Sequence, residues 1–484
     1  MMTLQKKTMN AAKWSALDIF ARQGLQFAVS IVLAHILAPE DFGVFAMLAL
    51  FIGAAGIFID SGFSSALIQR QNTTLADEST VFLFNLAMGA MTALLLSAVA
   101  PWIAAFFKRP TLQYLTYVMA FNLFVNAFGA IHNTLLSREM NFRTIARVGV
   151  VSSVVAGVVA IYMAREGYGV WSLAGQTVAA GIVTVVLLWL WHPWRPVWVF
   201  SLSSMRACFR FGGYEMAAAL TDVFSTNLYL IIIGKMYSIR DAGFYDRAQR
   251  TQQLPIMVMM GIINRVAFSV FSMVAEDRER LARGLRRAQA LSMFMHLPIM
   301  VGIIILARPI VLVLFGPQWL SSVPILQVLG LGGLFWPMHV LNLTILKAQG
   351  RADLFFWITI CKKTLTISLT VAASFYGVMA IAWMLSAVSL LTYFVNTHYT
   401  GKFLAYGGWR QLSDLAANFL SVIPMAVAVY FMVAKTHVPP FVQLVLGGIL
   451  GGAIYLLTCR LMCEKLLNEC LQIMGIGKRA AQIS

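Results

Sequence analysis

Val150-Val151-Ser152-Ser153-Val154-Val155-Ala156-Gly157-Val158-Val159-Ala160-Ile161-Tyr162-Met163, followed after a short polar break by Ser172–Trp191 (SLAGQTVAAGIVTVVLLWLW), decides the fold class. Neither run alternates apolar and polar residues, as the strands of a membrane barrel do. The second has the ~20 residues an α-helix needs to cross ~30 Å of hydrocarbon, and the first, 14 residues long, sits within an apolar stretch of that length, 144–164. The whole chain repeats this texture. Of 484 residues, 60% are apolar and 11% charged, with a mean hydropathy of +0.78. An ordinary soluble domain carries ~25% charged residues, and a single core stops growing near ~250–300 residues. A soluble enzyme, a secreted domain and a disordered chain are excluded; an all-α polytopic membrane protein is expected.

Hydropathy windows place fourteen spans near 14–37, 43–67, 80–106, 112–136, 144–164, 169–191, 211–234, 252–274, 289–314, 323–346, 355–374, 376–398, 414–434 and 441–462. Losing two adjacent spans would keep the same orientation, so twelve is the alternative. Lys6, Lys7 and Lys13 precede the first span. That span carries Asp18 and Arg22 and no small-x-small site follows it, so it reads as a permanent helix rather than a signal peptide. With the N-terminus inside, 25 Lys and Arg residues flank spans on the cytoplasmic side and 9 on the other. This positive-inside bias supports an even number of spans with both termini cytoplasmic. It also accounts for the net charge of +17 without nucleic acid as a partner.

The chain repeats itself. Asp41-Phe42-Gly43-Val44-Phe45 follows the first span, and Asp241-Ala242-Gly243-Phe244-Tyr245 follows the seventh. Tyr168-Gly169-Val170 opens the sixth span and Tyr376-Gly377-Val378 the twelfth. Six spans per copy is an even number, so both copies enter the membrane in the same direction. Two six-helix bundles are expected, at residues 1–200 and 201–400, related by an axis along the membrane normal with a substrate path between them. Residues 401–484 would add two helices and a cytoplasmic tail, with an interfacial helix at Cys459–Met474. Glu276–Arg287 reads as a solvated helical connector.

Charges inside spans are costly, about 2.5–3.5 kcal/mol each on insertion scales, and face partners or wet cavities. Asp18 and Arg22 share one face of the first span. Asp60 lies late in the second, Glu215 and Asp222 in the seventh, and Arg265 in the eighth; Lys362 and Lys363 enter the eleventh. Such charges either neutralise each other and fix packing or meet a substrate, and the sequence leaves both readings open. Asn85, Asn122, Asn126, Asn264, Asn342 and His339 suit interhelical hydrogen bonds. The five cysteines form no C-x-x-C pair and have no histidine at ligand spacing, so no metal is expected. No phosphate loop, H-E-x-x-H or G-x-S-x-G is present.

Six stretches occur in a fixed order: Leu37–Phe45 (LAPEDFGVF), Asp60–Arg70 (DSGFSSALIQR), Ser137–Arg143 (SREMNFR), Gly243–Ala248 (GFYDRA), Phe315–Trp319 (FGPQW) and Ala348–Arg351 (AQGR). The series resembles the polysaccharide-flippase branch of the multidrug/oligosaccharidyl-lipid/polysaccharide exporter superfamily, and within it colanic-acid-exporter-like lipopolysaccharide and exopolysaccharide transporters. The resemblance implies no enzyme. It implies a carrier in the bacterial inner membrane that moves an undecaprenyl-pyrophosphate-linked oligosaccharide to the periplasmic leaflet by alternating access. Arg22, Arg265, Lys362 and Lys363 would then meet the anionic headgroup, with Asp18, Asp60, Glu215 and Asp222 as gate partners or proton acceptors. The resemblance implies no cofactor beyond a coupling H+ or Na+, and membrane lipid, a polysaccharide polymerase and other assembly proteins as partners. Two alternatives stand beside it. An ion-coupled drug exporter would need an intramembrane acid without an adjacent arginine. A membrane polymerase would need a large extramembrane loop.

Overall fold

The computed structural model describes residues 4–60, 63–69, 73–274, 276–436 and 438–473. Its helices are α1 (Leu4–Ile36), α2 (Pro39–Asp60), α3 (Phe63–Gln69), α4 (Leu75–Phe107), α5 (Thr111–Arg138), α6 (Phe142–Arg165), α7 (Trp171–Trp191), α8 (Leu202–Met236) and α9 (Ile239–Met273). They continue with α10 (Arg278–Ile305), α11 (Ala307–Leu314), α12 (Ser322–Gly333), α13 (Trp336–Ala348), α14 (Ala352–Ala373) and α15 (Val378–Leu404). Last come α16 (Gly408–Asp414), α17 (Ala416–Lys435), α18 (Pro440–Met462) and α19 (Glu464–Ile473). Among the described residues there is no strand. The all-α fold class is borne out.

Each of the fourteen expected spans coincides with one helix or with two consecutive ones. Eleven described segments are long and apolar enough to cross a membrane. The other three expected spans coincide with α1, α8 and α9, some of whose side chains lie outside the described residues. The apolar faces of many helices point outward, at Leu94, Leu95, Phe121, Leu190, Ile449 and Leu457 for example. In the span Asp353–Ala373 only 11% of the apolar window is buried. Water would reject that surface and hydrocarbon accepts it.

Helix ends are set by local chemistry. Thr74 and Asp77 form a capping box on α4: the Thr74 hydroxyl accepts from the Asp77 amide at 3.2 Å, and the Asp77 carboxylate accepts from the Thr74 amide at 2.9 Å. Asn141 caps α6 and Asp277 caps α10 in the same sense. The connector expected at Glu276–Arg287 is therefore the first turns of α10.

The helices fall into two compact units, Met1–Gly243 and Phe244–Ser484. In the first, α4 packs on α5, α6 on α7, and α5 on α7, while α8 leans on α2, α3 and α4. In the second, α10 packs on α12 and α13, α14 on α15, and both α12 and α13 on α15. With six spans per copy, these are the same three pairings. In these three pairings the packing follows the repeat read from the sequence. Local geometry agrees. In both Tyr-Gly-Val copies the glycine takes a positive φ, +56° at Gly169 and +113° at Gly377, which L side chains avoid. In both Asp-x-Gly copies the aspartate folds back three residues: Asp41 accepts from the Ala38 amide at 3.1 Å and Asp241 from the Ser238 hydroxyl at 2.6 Å.

The first unit extends to Gly243, so it contains both Asp-x-Gly copies, and they touch. A Cβ on Gly43 would stand 1.9 Å from the Ile239 carbonyl oxygen. A Cβ on Gly243 would stand 2.1 Å from the Pro39 carbonyl oxygen. The contact is reciprocal, backbone on backbone, and Arg240 pairs with Glu40 beside it at 3.3 Å.

Two expected spans are broken. The ninth is α10 plus α11, interrupted at Leu306, and the tenth is α12 plus α13. The interfacial helix expected at Cys459–Met474 is corrected: residues 459–462 complete α18, and α19 starts at Glu464. Leu467 and Cys470 of α19 are buried in a cluster with Phe294, Val429 and Tyr455, so this face is covered by protein.

Candidate functional site

The break in the tenth span has a covalent cause. Pro337, in the first turn of α13, has no N–H to offer the Gly333 carbonyl four residues earlier. A buried carbonyl must find another donor. Nε2 of His296 on α10 meets the Gly333 oxygen at 2.9 Å. The Ser389 hydroxyl on α15 donates to the Gly332 carbonyl at 2.7 Å, and the Ser386 hydroxyl to the Val328 carbonyl at 2.7 Å. The Gly332-Gly333 pair leaves room, since a Cβ on Gly332 would meet Ser386 Cα at 2.9 Å.

From this break a chain of polar groups runs to a lysine. His339 Nε2 lies 3.3 Å from Ser389 Oγ, and His339 Nδ1 lies 3.2 Å from Asn396 Nδ2. Asn396 Oδ1 accepts from the Lys362 ammonium at 3.4 Å. His339 and Asn396 are buried and Lys362 is half-buried. Lys362 is therefore a cation held inside the second unit by an amide. A second network lies one turn further along α13. Asn342 and Gln411 exchange amide hydrogen bonds at 3.0 and 2.9 Å, and Thr400 and Gln289 complete the set. Arg286 closes the same end by pairing with Asp414 at 2.8 Å beneath Tyr406, whose ring it covers at 5.0 Å. Burial first, then the Asp414 carboxylate, raise the Tyr406 phenol above its ordinary range.

The first unit has a different polar centre. Arg138 pairs with Glu78 at 3.3 Å, Trp194 Nε1 donates to Glu78 at 2.8 Å, and His192 lies 3.6 Å from Glu139. These groups line a cavity of about 460 Å³ where α4 begins and α5 and α7 end. Arg138 and Glu139 come from the Ser137–Arg143 stretch, which thus ties three helices together. In the second unit two other stretches meet: the Arg247 guanidinium covers the rings of Phe315 and Trp319 at 5.0 and 5.2 Å.

Of the eight charged candidates, Arg22 is half-buried on α1, Asp222 is exposed on α8, and Lys362 and Lys363 are half-buried on α14. The side chains of Asp18, Asp60, Glu215 and Arg265 lie outside the described residues. The interhelical bonds expected of His339 and Asn342 are present. Asn85 is fully buried, yet neither amide atom has a hydrogen-bond partner among the described residues. Sequence reasoning missed Asn396, Ser389, Gln289 and Gln411. An asparagine inside an apolar span was the available signal for Asn396.

The succinoglycan biosynthesis transport protein ExoT of Rhizobium meliloti (strain 1021) is 30% identical over 469 residues, 94% of each chain. The lipopolysaccharide biosynthesis protein WzxC of Escherichia coli (strain K12) is 26% identical over 402 residues, 82% of this chain and 80% of that one. Among solved structures, an inward closed lipid II flippase MurJ superposes with a TM-score of 0.77 at 15% identity, over 94% of this chain and 99% of that one. An inward-facing multidrug resistance MATE family transporter of the MOP superfamily superposes with a TM-score of 0.64 at 16% identity, over 81% of this chain and 98% of that one. At these identities the superpositions speak for the fold. The resemblance read from the six stretches is borne out. The family profile described as polysaccharide biosynthesis protein matches residues 32–324, more than half of the sequence, and the chain belongs to that family.

Proposed function

We propose that the protein is a flippase: it carries a lipid-linked oligosaccharide from the cytoplasmic to the outer leaflet of a bacterial inner membrane by alternating access, with both termini cytoplasmic. A pyrophosphate-linked glycan cannot cross ~30 Å of hydrocarbon unaided. The carrier must supply interior cations for the headgroup and leave the polyprenyl tail in lipid. The observation that carries this reading is Lys362: an ammonium inside a helical unit, held at 3.4 Å by one amide and by no carboxylate hydrogen bond among the described residues. A structural lysine would be matched by an acid; one tethered to a neutral amide keeps its charge for an anion. Arg22, Lys363 and Arg265 are assigned to the same task, and Asp18, Asp60, Glu215 and Asp222 to gating. The relatives named as a transport protein and a lipopolysaccharide biosynthesis protein support the substrate class. No covalent step is needed, and polymerase and assembly proteins would act on what is delivered.

Leaflet-resolved labelling of the lipid-linked intermediate tests the reading. Host cells lacking the protein should accumulate complete repeat units on the cytoplasmic leaflet, and Lys362→Gln should restore outward movement at least tenfold less well than wild type. Export of single units by the deleted strain would point to a polymerase instead. Normal movement with Lys362→Gln would remove the headgroup assignment.

A further inference from the structure

The chain Lys362–Asn396–His339–Ser389–Gly332 admits one arrangement of hydrogens. Ser389 spends its proton on the Gly332 carbonyl at 2.7 Å, so toward His339 it can only accept. His339 Nε2 therefore carries a hydrogen. The Lys362 ammonium only donates, so the Asn396 atom facing it at 3.4 Å is the carbonyl oxygen. The Asn396 amide nitrogen then faces His339 Nδ1 at 3.2 Å and donates to it. His339 is neutral in this state, with Nδ1 as acceptor, and each contact in the chain has one donor and one acceptor.

We propose that His339 is the binding site of a coupling proton, and that protonating it releases Lys362 to an anion. A proton on Nδ1 would confront the hydrogens of the Asn396 amide. The amide relieves this by turning over, so that its oxygen accepts from Nδ1. Its nitrogen then faces Lys362, two donors meet, and the tether is lost. Proton binding and anion binding thereby favour each other, since the anion stabilises the untethered lysine and the imidazolium turns the amide that frees it. The charged group acting on His339 among the described residues is Lys362, from α14. From α15 the Tyr393 ring stands edge-on at 6.3 Å, its hydroxyl committed to the Gly408 carbonyl at 2.8 Å. The α10 histidine, His296, is engaged with the Gly333 carbonyl on the far side of the break. The proposal rests on the flippase reading for its anion, a pyrophosphate, but the relay is a property of the second unit alone.

Two measurements on the full chain in lipid nanodiscs test it. In the first, undecaprenyl pyrophosphate is titrated calorimetrically in buffers of differing ionisation enthalpy between about pH 5 and 8, where histidine changes charge. Wild type should take up about one proton per ligand, with affinity rising by up to about tenfold per pH unit on acidification. His339→Gln should bind with no proton uptake and a flat pH profile, and His296→Gln should keep both. Absence of proton uptake in wild type, or undiminished uptake in His339→Gln, overturns the proposal. The second measurement needs no ligand. In ¹⁵N spectra, the Lys362 ammonium resonance should shift in step with His339 titration in wild type and stay still in Asn396→Leu. A Lys362 signal indifferent to His339 in wild type overturns the relay. If undecaprenyl pyrophosphate fails to bind wild type, the flippase reading falls, and the spectra still decide the relay.

Discussion

The fourth and tenth spans occupy equivalent places in the two units, yet one is a continuous helix and the other is not. Both pack on the span before them and on the last span of their copy. α5 runs unbroken from Thr111 to Arg138, and its buried Asn122 points its oxygen at the small face of Gly181 on α7. Its counterpart is cut into α12 and α13 by Pro337, and the freed carbonyls recruit His296 and Ser389. One proline thus separates a continuous helix, whose Asn122 faces Gly181, from a broken one whose carbonyls join a hydrogen-bonded network. Shared architecture sets where helices meet. The interior chemistry is written separately in each copy.

The largest expected effect concerns the place where the copies still match. Gly43→Ala and Gly243→Ala each drive a methyl group into a backbone carbonyl, which cannot rotate away. Overpacking of this kind costs about 1–3 kcal/mol and at times more. Cysteines introduced as Glu40→Cys and Arg240→Cys should cross-link readily in an otherwise wild-type chain. Either alanine should suppress that cross-link, and to a similar degree, because the contact is reciprocal. Unequal suppression would show that the copies have diverged here too.

Buried amides should then separate the units by sign. Asn342→Leu removes three hydrogen bonds with Gln411 and Thr400, each worth about 0.5–1.5 kcal/mol net, while Gln411 keeps Gln289 and the Tyr406 carbonyl and Thr400 keeps the Asn396 carbonyl. Thermal unfolding followed by tryptophan fluorescence should drop by several degrees. Among the described residues Asn85 has no partner to lose, so Asn85→Leu should leave the midpoint unchanged or raise it. A fall with Asn85→Leu equal to that with Asn342→Leu would erase the contrast. Pro337→Ala is expected to do less. It returns an N–H to the Gly333 carbonyl while His296 gives one up, an exchange within about 1 kcal/mol.

The sequence made the helices legible because twenty-residue apolar runs are long-range signals that no local detail can hide. All fourteen coincide with one helix or with two consecutive ones, and the repeat at Gly43 and Gly243 was visible as spacing. That these glycines touch was not visible, since a glycine marks a turn as readily as a close approach. The break at Pro337 was equally concealed. Hydropathy averages over about nineteen residues, and a proline that removes one N–H does not alter the average. Within the site, Lys362 and His339 drew attention as polar residues in apolar surroundings. Their link through Asn396 is a tertiary contact between positions 34 and 57 residues apart along the chain. No local pattern encodes a pairing at that distance.

The smallest expected effect compares the helix-end clamps of the two units. Arg138 and Glu78 are 26% and 13% exposed, and Trp194 adds a third partner on the same carboxylate. Arg286 and Asp414 are 50% and 31% exposed. Exposed pairs are worth about 0–1 kcal/mol, while removing one member of a buried pair leaves a charge that burial penalises. Arg138→Ala should therefore lower the unfolding midpoint measurably, because Glu78 stays enclosed by the Trp194 indole and the ends of α4 and α5. Arg286→Ala should lower it by less, and raising the salt concentration should abolish that smaller difference while leaving most of the larger one. If the two substitutions cost the same at high salt, the first clamp is solvated like the second. The first unit would then have no enclosed polar centre to set against the network in the second.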